Sequence, residues 1–190
     1  MLSGRRLDLS DPSPFDIEIE DIAHGLARVA RWNGQTNSQF AFSVAEHSVV
    51  VEQIARALKP DLAPRWQLAA LLHDAPEYVI GDMISPFKAM LGDRYKITET
   101  RLEQAVHLRF GLPPNLPKTI HKLIKRADRM CAWFEAQQIA GFSTSEANKL
   151  FLSPPHDLLV KIEPMPAKQA QIAFLNRFHA LQITTREQKP

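Results

Sequence analysis

Apolar residues recur along most of this chain at intervals of three and four, the spacing of one helical face. The first such run covers about residues 17–30 and puts Ile22, Leu26 and Val29 on one side. Within it Ile17-Glu18-Ile19-Glu20 alternates as a strand would, over too few residues to displace the helical reading. A second helix is predicted over about 44–58. Ser43 and Glu46 form a Ser-x-x-Glu box before it, which starts helices by satisfying their first backbone N–H groups. Val44, His47, Val51, Ile54 and Leu58 share its face. Pro64 suits the first turn of a third helix, through Trp66, Leu68, Leu71 and Leu72 to His73, and Pro76 should bend or end it. A fourth covers about 96–110 and stops at Gly111. The proline-rich stretch 112–117 reads as a rigid connection. A fifth helix, about 118–140, carries Ile120, Ile124, Ala127, Cys131 and Phe134 inward and stops at Gly141. A sixth, about 167–181, shows Ala170, Phe174 and Phe178. Residues 158–162 read as a short strand or an extended connection, and Asn33-Gly34 as a turn. The expectation is an all-α fold, a single-domain bundle of about six or more helices over residues 1–190.

Composition agrees. A chain of 190 residues can bury a real core as one domain. At 45% apolar and 23% charged it reads as globular rather than disordered. Fourteen prolines against seven glycines suggest sharp element boundaries rather than a flexible linker. Lys and Arg total 23 against 21 Asp and Glu, so a net charge of +2 makes no electrostatic case for a nucleic-acid or membrane partner. Trp66 and Trp133 are expected in the core. One cysteine, Cys131, excludes an internal disulfide and fits a reducing compartment. Seven histidines beside that one cysteine exclude zinc-finger spacing, so any metal must be held by His and carboxylates. Residues 1–15 carry Arg5, Arg6, Asp8, Asp11 and two prolines, which is no targeting signal. No window reaches the ~18 apolar residues of a membrane span. The expected location is cytoplasmic.

Candidate chemistry stands out against the apolar faces. His73-Asp74 ends the run Leu68-Ala-Ala-Leu-Leu-His-Asp. A carboxylate buried without a partner is costly, so Asp74 needs one. Taken alone, it is better read as a helix cap or an arginine partner. Two more residues change the balance. His47 sits among Val44, Val51 and Ile54, and Asp128 lies beside Ala127 between Ile124 and Cys131. Two imidazoles and two carboxylates, each at the inward edge of an apolar helix, suit a divalent ion with open positions for water and substrate.

The ordered set His47…His73-Asp74…Asp128 resembles the HD-domain metal-dependent phosphohydrolases. Arg31-Trp32, Glu46-His47-Ser48, His73-Asp74-Ala-x-Glu77, Gly81-Asp82-x-x-x-Pro86-x-Lys88 and Ala127-Asp128 are similar to the bacterial 5′-deoxynucleotidase branch and to phage-type deoxyadenosine triphosphatases. The likeness covers about residues 22–138. It implies one metal on His47, His73, Asp74 and Asp128, with cobalt or manganese favoured; the residues alone do not choose among Co, Mn, Fe, Zn and Mg. It also implies that Glu77 and Asp82 handle the attacking water, in exchangeable roles. Asp82, following Gly81, reads equally well as a cap of the next segment. Arg31 and Lys88 become phosphate contacts, and Trp32 an aromatic face for base or sugar. His121 shares the face of Asp128 approximately, as a supporting group or an extra ligand. His24, His107, His156 and His179 lie outside the set, and Cys131 reads as a buried core thiol.

The implied activity is a cytoplasmic 5′-nucleotidase, hydrolysing (deoxy)nucleoside 5′-monophosphates. Three alternatives stay open: a deoxynucleoside triphosphate triphosphohydrolase, a phosphodiesterase of cyclic or signalling nucleotides, and an inactive nucleotide-binding module. The expected partner is a small nucleotide, with no nucleic acid and no membrane. A homodimer remains open.

Overall fold

The computed structural model describes residues 1–187. Nine α-helices run through them: α1 (Ile19–Leu26), α2 (Val44–Leu58), α3 (Pro64–Leu71), α4 (Glu77–Ile80), α5 (Ser85–Leu91), α6 (Asp93–Arg109), α7 (Lys118–Gln138), α8 (Thr144–Leu150) and α9 (Ala167–Glu187). Short 3-10 turns cover Pro14–Asp16 and Arg31–Gly34. The fold is all-α, as the periodicity predicts.

Helix α2 is the central strut. It packs on α7, α3 and α9, while α1 packs on α4 and α9. The Ser43–Glu46 box forms in both directions: Glu46 N–H donates to Ser43 Oγ at 3.3 Å, and Ser43 N–H to Glu46 Oε2 at 2.9 Å. Ile54, Leu68, Leu71, Leu72, Phe174 and Phe178 are fully buried between these helices. Each such side chain contributes roughly 1.5–3 kcal/mol against leaving it in water. The predicted inner faces of α2, α7 and α9 are the faces found inside. Trp66 and Trp133 sit at the core's edge, partly buried, the first under the Arg65 guanidinium and the second donating to Asn148.

The element boundaries differ from expectation in instructive places. The helix expected over 17–30 is only Ile19–Leu26. After it the chain pairs back on itself: Val44 N–H donates to the Val29 carbonyl at 3.0 Å and Arg31 N–H to the Phe42 carbonyl at 2.8 Å. Those bonds replace further helical turns. Helix α3 stops at Leu71 rather than His73, and Pro76 caps the start of α4 instead of ending a helix. Helices α4, α5 and α8 were not anticipated. Residues 158–162 form an extended connection, not a strand. Gln138 stands in for a neighbouring strand there, donating to the Val160 carbonyl at 2.8 Å and accepting from Ile162 N–H at 2.9 Å. Residues 1–15 are tied down as well: Ser3 bonds Asp21 on α1, and Glu18 takes both Arg5 and Arg109. Among the described residues no helix is long and apolar enough to cross a membrane.

Candidate metal centre

Three separate stretches deliver the four expected ligands to one point. His47 comes from the buried face of α2 and is 0% exposed. His73 and Asp74 come from the tight turn after α3, closed by bonds from Ala75 N–H to the Leu72 carbonyl and from Glu77 N–H to the Asp74 carbonyl. Asp128 comes from α7. His47 Nε2 lies 3.4 Å from Asp74 Oδ2 and 3.4 Å from Asp128 Oδ1, and His73 Nε2 lies 3.1 Å from Asp74 Oδ2. One donor atom each of His47, His73 and Asp128 lies within 4.8 Å of the others.

The hydrogen bonds on the far side of each ring decide what these atoms are. His73 Nδ1 is 2.9 Å from the Ala70 carbonyl, which can only accept, so that nitrogen carries the proton. His47 Nδ1 is 2.6 Å from Glu135 Oε1. Glu135 is fully buried, and burial opposes its charge, yet Arg31 and His47 hold its pKa down to about 2. It is therefore a carboxylate, and it fixes His47 in the same tautomer. Both Nε2 atoms then turn lone pairs toward carboxylate oxygens, and both are buried without a hydrogen-bond partner among the described residues. Lone pairs facing anions at such distances need a cation between them. Donors bound to one ion about 2.1 Å away stand roughly 3.0–3.4 Å apart, which is the spacing found. The local field points the same way. Against burial and Arg31, the groups Cys131, Glu135 and Asp128 raise the pKa of His47 well above the ordinary value, so without an ion a proton on Nε2 takes the place that the ion would fill. Asp74 and Asp128 are both held below the usual carboxylate range, against burial, by the two histidines. The residues fit a divalent metal ion.

Glu135 is the functional residue that sequence reading missed. Its Oε2 accepts from Trp32 Nε1 at 2.7 Å, from Arg31 Nη2 at 3.0 Å and from Arg31 Nε at 3.2 Å. Its Oε1 accepts from Cys131 Sγ at 3.2 Å as well as from His47. A signal was present: Glu135 is two turns beyond Asp128 and one turn beyond Cys131, on the same apolar face. Cys131 is the buried thiol expected, and burial pushes its pKa to about 12.

A cavity of about 250 Å³ opens beside the cluster, with His73, Asp74 and Asp128 in its wall. Glu77, Lys88, Glu99, Glu103, His121 and Lys125 line the rest. Lys88 Nζ bridges Glu99 at 3.0 Å and Glu77 at 3.5 Å, so the expected phosphate contact is already paired with two carboxylates. Burial raises Glu77 to about 9, helped by Asp74 and Asp82 and opposed by Lys88 and Arg31. Lys125 grips Asp128 Oδ2 at 2.6 Å. Arg31, Trp32 and Asp82 do not line this cavity. Arg31 stands between Glu135 and Asp82, 3.6 Å from the latter. The Trp32 ring meets Phe142 and Phe151, with centroids 5.6 and 5.7 Å away, instead of facing the cavity. Asp82 does not cap α5, whose N-cap residue is Ile84 and which has no side-chain cap bond.

A family model described as 5′-deoxynucleotidase YfbR-like matches residues 21–180. An uncharacterised protein of Rhodobacter capsulatus is 57% identical over 185 residues, covering 95% of this chain and 93% of that protein. The uncharacterised Escherichia coli protein YfdR is 27% identical over 179 residues, covering 94% and 92%.

Proposed function

The chain belongs to the YfbR-like family, within the metal-dependent HD-domain phosphohydrolases that act on nucleotide-like substrates, and on that premise we propose that it hydrolyses deoxynucleoside 5′-monophosphates to nucleoside and phosphate. The observation that carries the choice of a monophosphate is the charge of the cavity wall. Two lysines, Lys88 and Lys125, stand against Asp74, Glu77, Glu99, Glu103 and Asp128. Both lysines are already paired with carboxylates. One phosphate beside the ligand cluster is tolerable in that wall. A triphosphate would press further negative charge onto Glu99 and Glu103. At about 250 Å³ the cavity also falls just below the usual range of ligand pockets, roughly 300–1,000 Å³.

In this reading His47, His73, Asp74 and Asp128 hold the ion. The chemistry such an ion supplies is polarisation of a phosphoryl oxygen and a bound water of lowered pKa. Glu77 would accept the proton of the attacking water from its ionised form: burial raises its proton affinity, while Lys88 and Arg31 favour the carboxylate. Asp82 orients that water while paired to Arg31. Arg31 keeps Nε and Nη2 on Glu135 and would reach the phosphate only by turning Nη1 from Asp82, and Trp32 donates to the same Glu135 oxygen. Lys88 exchanges its carboxylate pairing for the phosphate as charge builds on the leaving 5′-oxygen.

The test is product identity. Protein loaded with Mn²⁺ or Co²⁺ is incubated with nucleoside mono- and triphosphates, ribo and deoxy, and phosphorus NMR identifies what is released. Orthophosphate from deoxynucleoside monophosphates is expected. Tripolyphosphate from triphosphates, or no turnover of any nucleotide, overturns the proposal.

A further inference from the structure

We infer that Glu135 is a positioning residue that joins the metal subsite and the phosphate subsite into one unit, so that each is fully formed only while the other is. This rests on the metal and phosphate assignments proposed above. The geometry is specific. One carboxylate, 0% exposed, splits its two oxygens between the two subsites. Oε1 fixes the ring of His47 at 2.6 Å, and Oε2 takes both Arg31 and Trp32. Arg31 continues the chain of contacts to Asp82. A displacement of Glu135 toward either side is therefore paid on the other.

The turn that Oε2 holds is not one the backbone favours. Trp32 and Asn33 both lie in the left-handed region, with φ of 58° and 51°. Non-glycine residues there cost of order 1 kcal/mol or more each and persist only when their surroundings hold them. The Arg31–Gly34 turn is held by the Arg31 backbone bond to Phe42, by the aromatic contacts of Trp32, and by three hydrogen bonds to Glu135 Oε2. Of these, Glu135 also bonds a metal ligand, His47. Carboxylates behind a ligating histidine set its tautomer and ring orientation. Here the same carboxylate also orients the guanidinium expected to meet the phosphate.

Glu135→Gln tests the inference, because it keeps the size but not the symmetry. Its single oxygen can serve His47 or the Arg31–Trp32 pair, and its amide N–H must then face donors on the other side. Mn²⁺ binding is followed by electron paramagnetic resonance without substrate, and inorganic phosphate binding by calorimetry on Mn²⁺-saturated protein. Glu135→Gln should weaken Mn²⁺ about 10–100-fold and also weaken phosphate. Trp32→Phe, which deletes only the 2.7 Å bond to Oε2, should weaken Mn²⁺ about fivefold although Trp32 touches no ligand. A Glu135→Gln protein with wild-type helicity and wild-type Mn²⁺ affinity overturns the inference. So does a Trp32→Phe protein that binds Mn²⁺ as the wild type does, and this second variant decides if the first does not fold. Failure of the nucleotidase reading is separable, since it would appear as absent turnover in wild-type protein while these titrations stood.

Discussion

Gly25 poses a clean contest between two effects of opposite sign. It lies inside α1, where glycine is the weakest helix former after proline, and Gly25→Ala would gain about 1 kcal/mol from helix propensity alone. Space forbids the gain. A Cβ built at Gly25 would stand 2.8 Å from Tyr78 Cβ, 2.8 Å from the Tyr78 carbonyl oxygen and 3.1 Å from Tyr78 Cα. Two of those atoms are backbone, so no side-chain rotation relieves the contact. Helix α4 must instead retreat from α1. Overpacking of this kind costs roughly 1–3 kcal/mol, and the upper end applies when backbone has to move. The net expectation is a destabilisation of about 1–2 kcal/mol, or a melting temperature about 2–8 °C lower for a chain of this size. Glu77 is the first residue of α4, next to Tyr78, so the retreat also displaces its carboxylate from the cavity wall and kcat should fall with stability. Thermal and urea melts, paired with turnover of Mn²⁺-loaded protein, measure both. A melting temperature that rises by about 2–4 °C, the helix-propensity result, would refute the close α1–α4 packing.

Three other outcomes follow from the same geometry. Asp128→Asn should lose bound Mn²⁺, measured by plasma mass spectrometry, together with turnover; a variant that kept both would exclude Asp128 as a ligand. Arg177 on α9 grips the buried Glu52 at 2.7 and 2.8 Å and also reaches Gln67, so Arg177→Ala strands a carboxylate that is 1% exposed. About 3 kcal/mol should be lost in urea titration, since Arg56 at 3.7 Å remains as a poor substitute, and a loss under about 1 kcal/mol would contradict the pairing. His107 is buried with its pKa lowered by that burial, against a bond to the Pro114 carbonyl. The unfolded chain therefore takes up its proton first: the His107 contribution is complete above the ordinary histidine pKa and is lost as pH falls below it. His107→Asn should shrink the drop in melting temperature between about pH 7.5 and about pH 5.5, and an unchanged drop would clear His107 of that role.

What the sequence made legible, and what it hid, divides along one physical line. Periodicity exposes a polar residue on an apolar face, because such a residue must find a partner when the face is buried. His47, Asp74 and Asp128 were visible on that ground, and the structure brings them within reach of one another. The same ground covers Glu135, which sits beside Phe134 on the buried side of α7. It went unremarked because its partner Arg31 lies 104 residues away, on a turn with no periodic pattern at all. Lys88 was legible as a cation near the site but not as one clasped by Glu77 and Glu99, since that clasp joins α4, α5 and α6. Helices α4, α5 and α8 span four to seven residues, too few for an apolar repeat to emerge. A single sequence thus tells that a buried charge has a counterpart but not which residue it is. In this chain that choice matters most at Glu135, where one buried anion meets a histidine, a guanidinium and an indole N–H from two separate stretches. A carboxylate with so many donors has no freedom to serve one without the others, and for that reason the two subsites are expected to respond together to metal, to phosphate and to mutation.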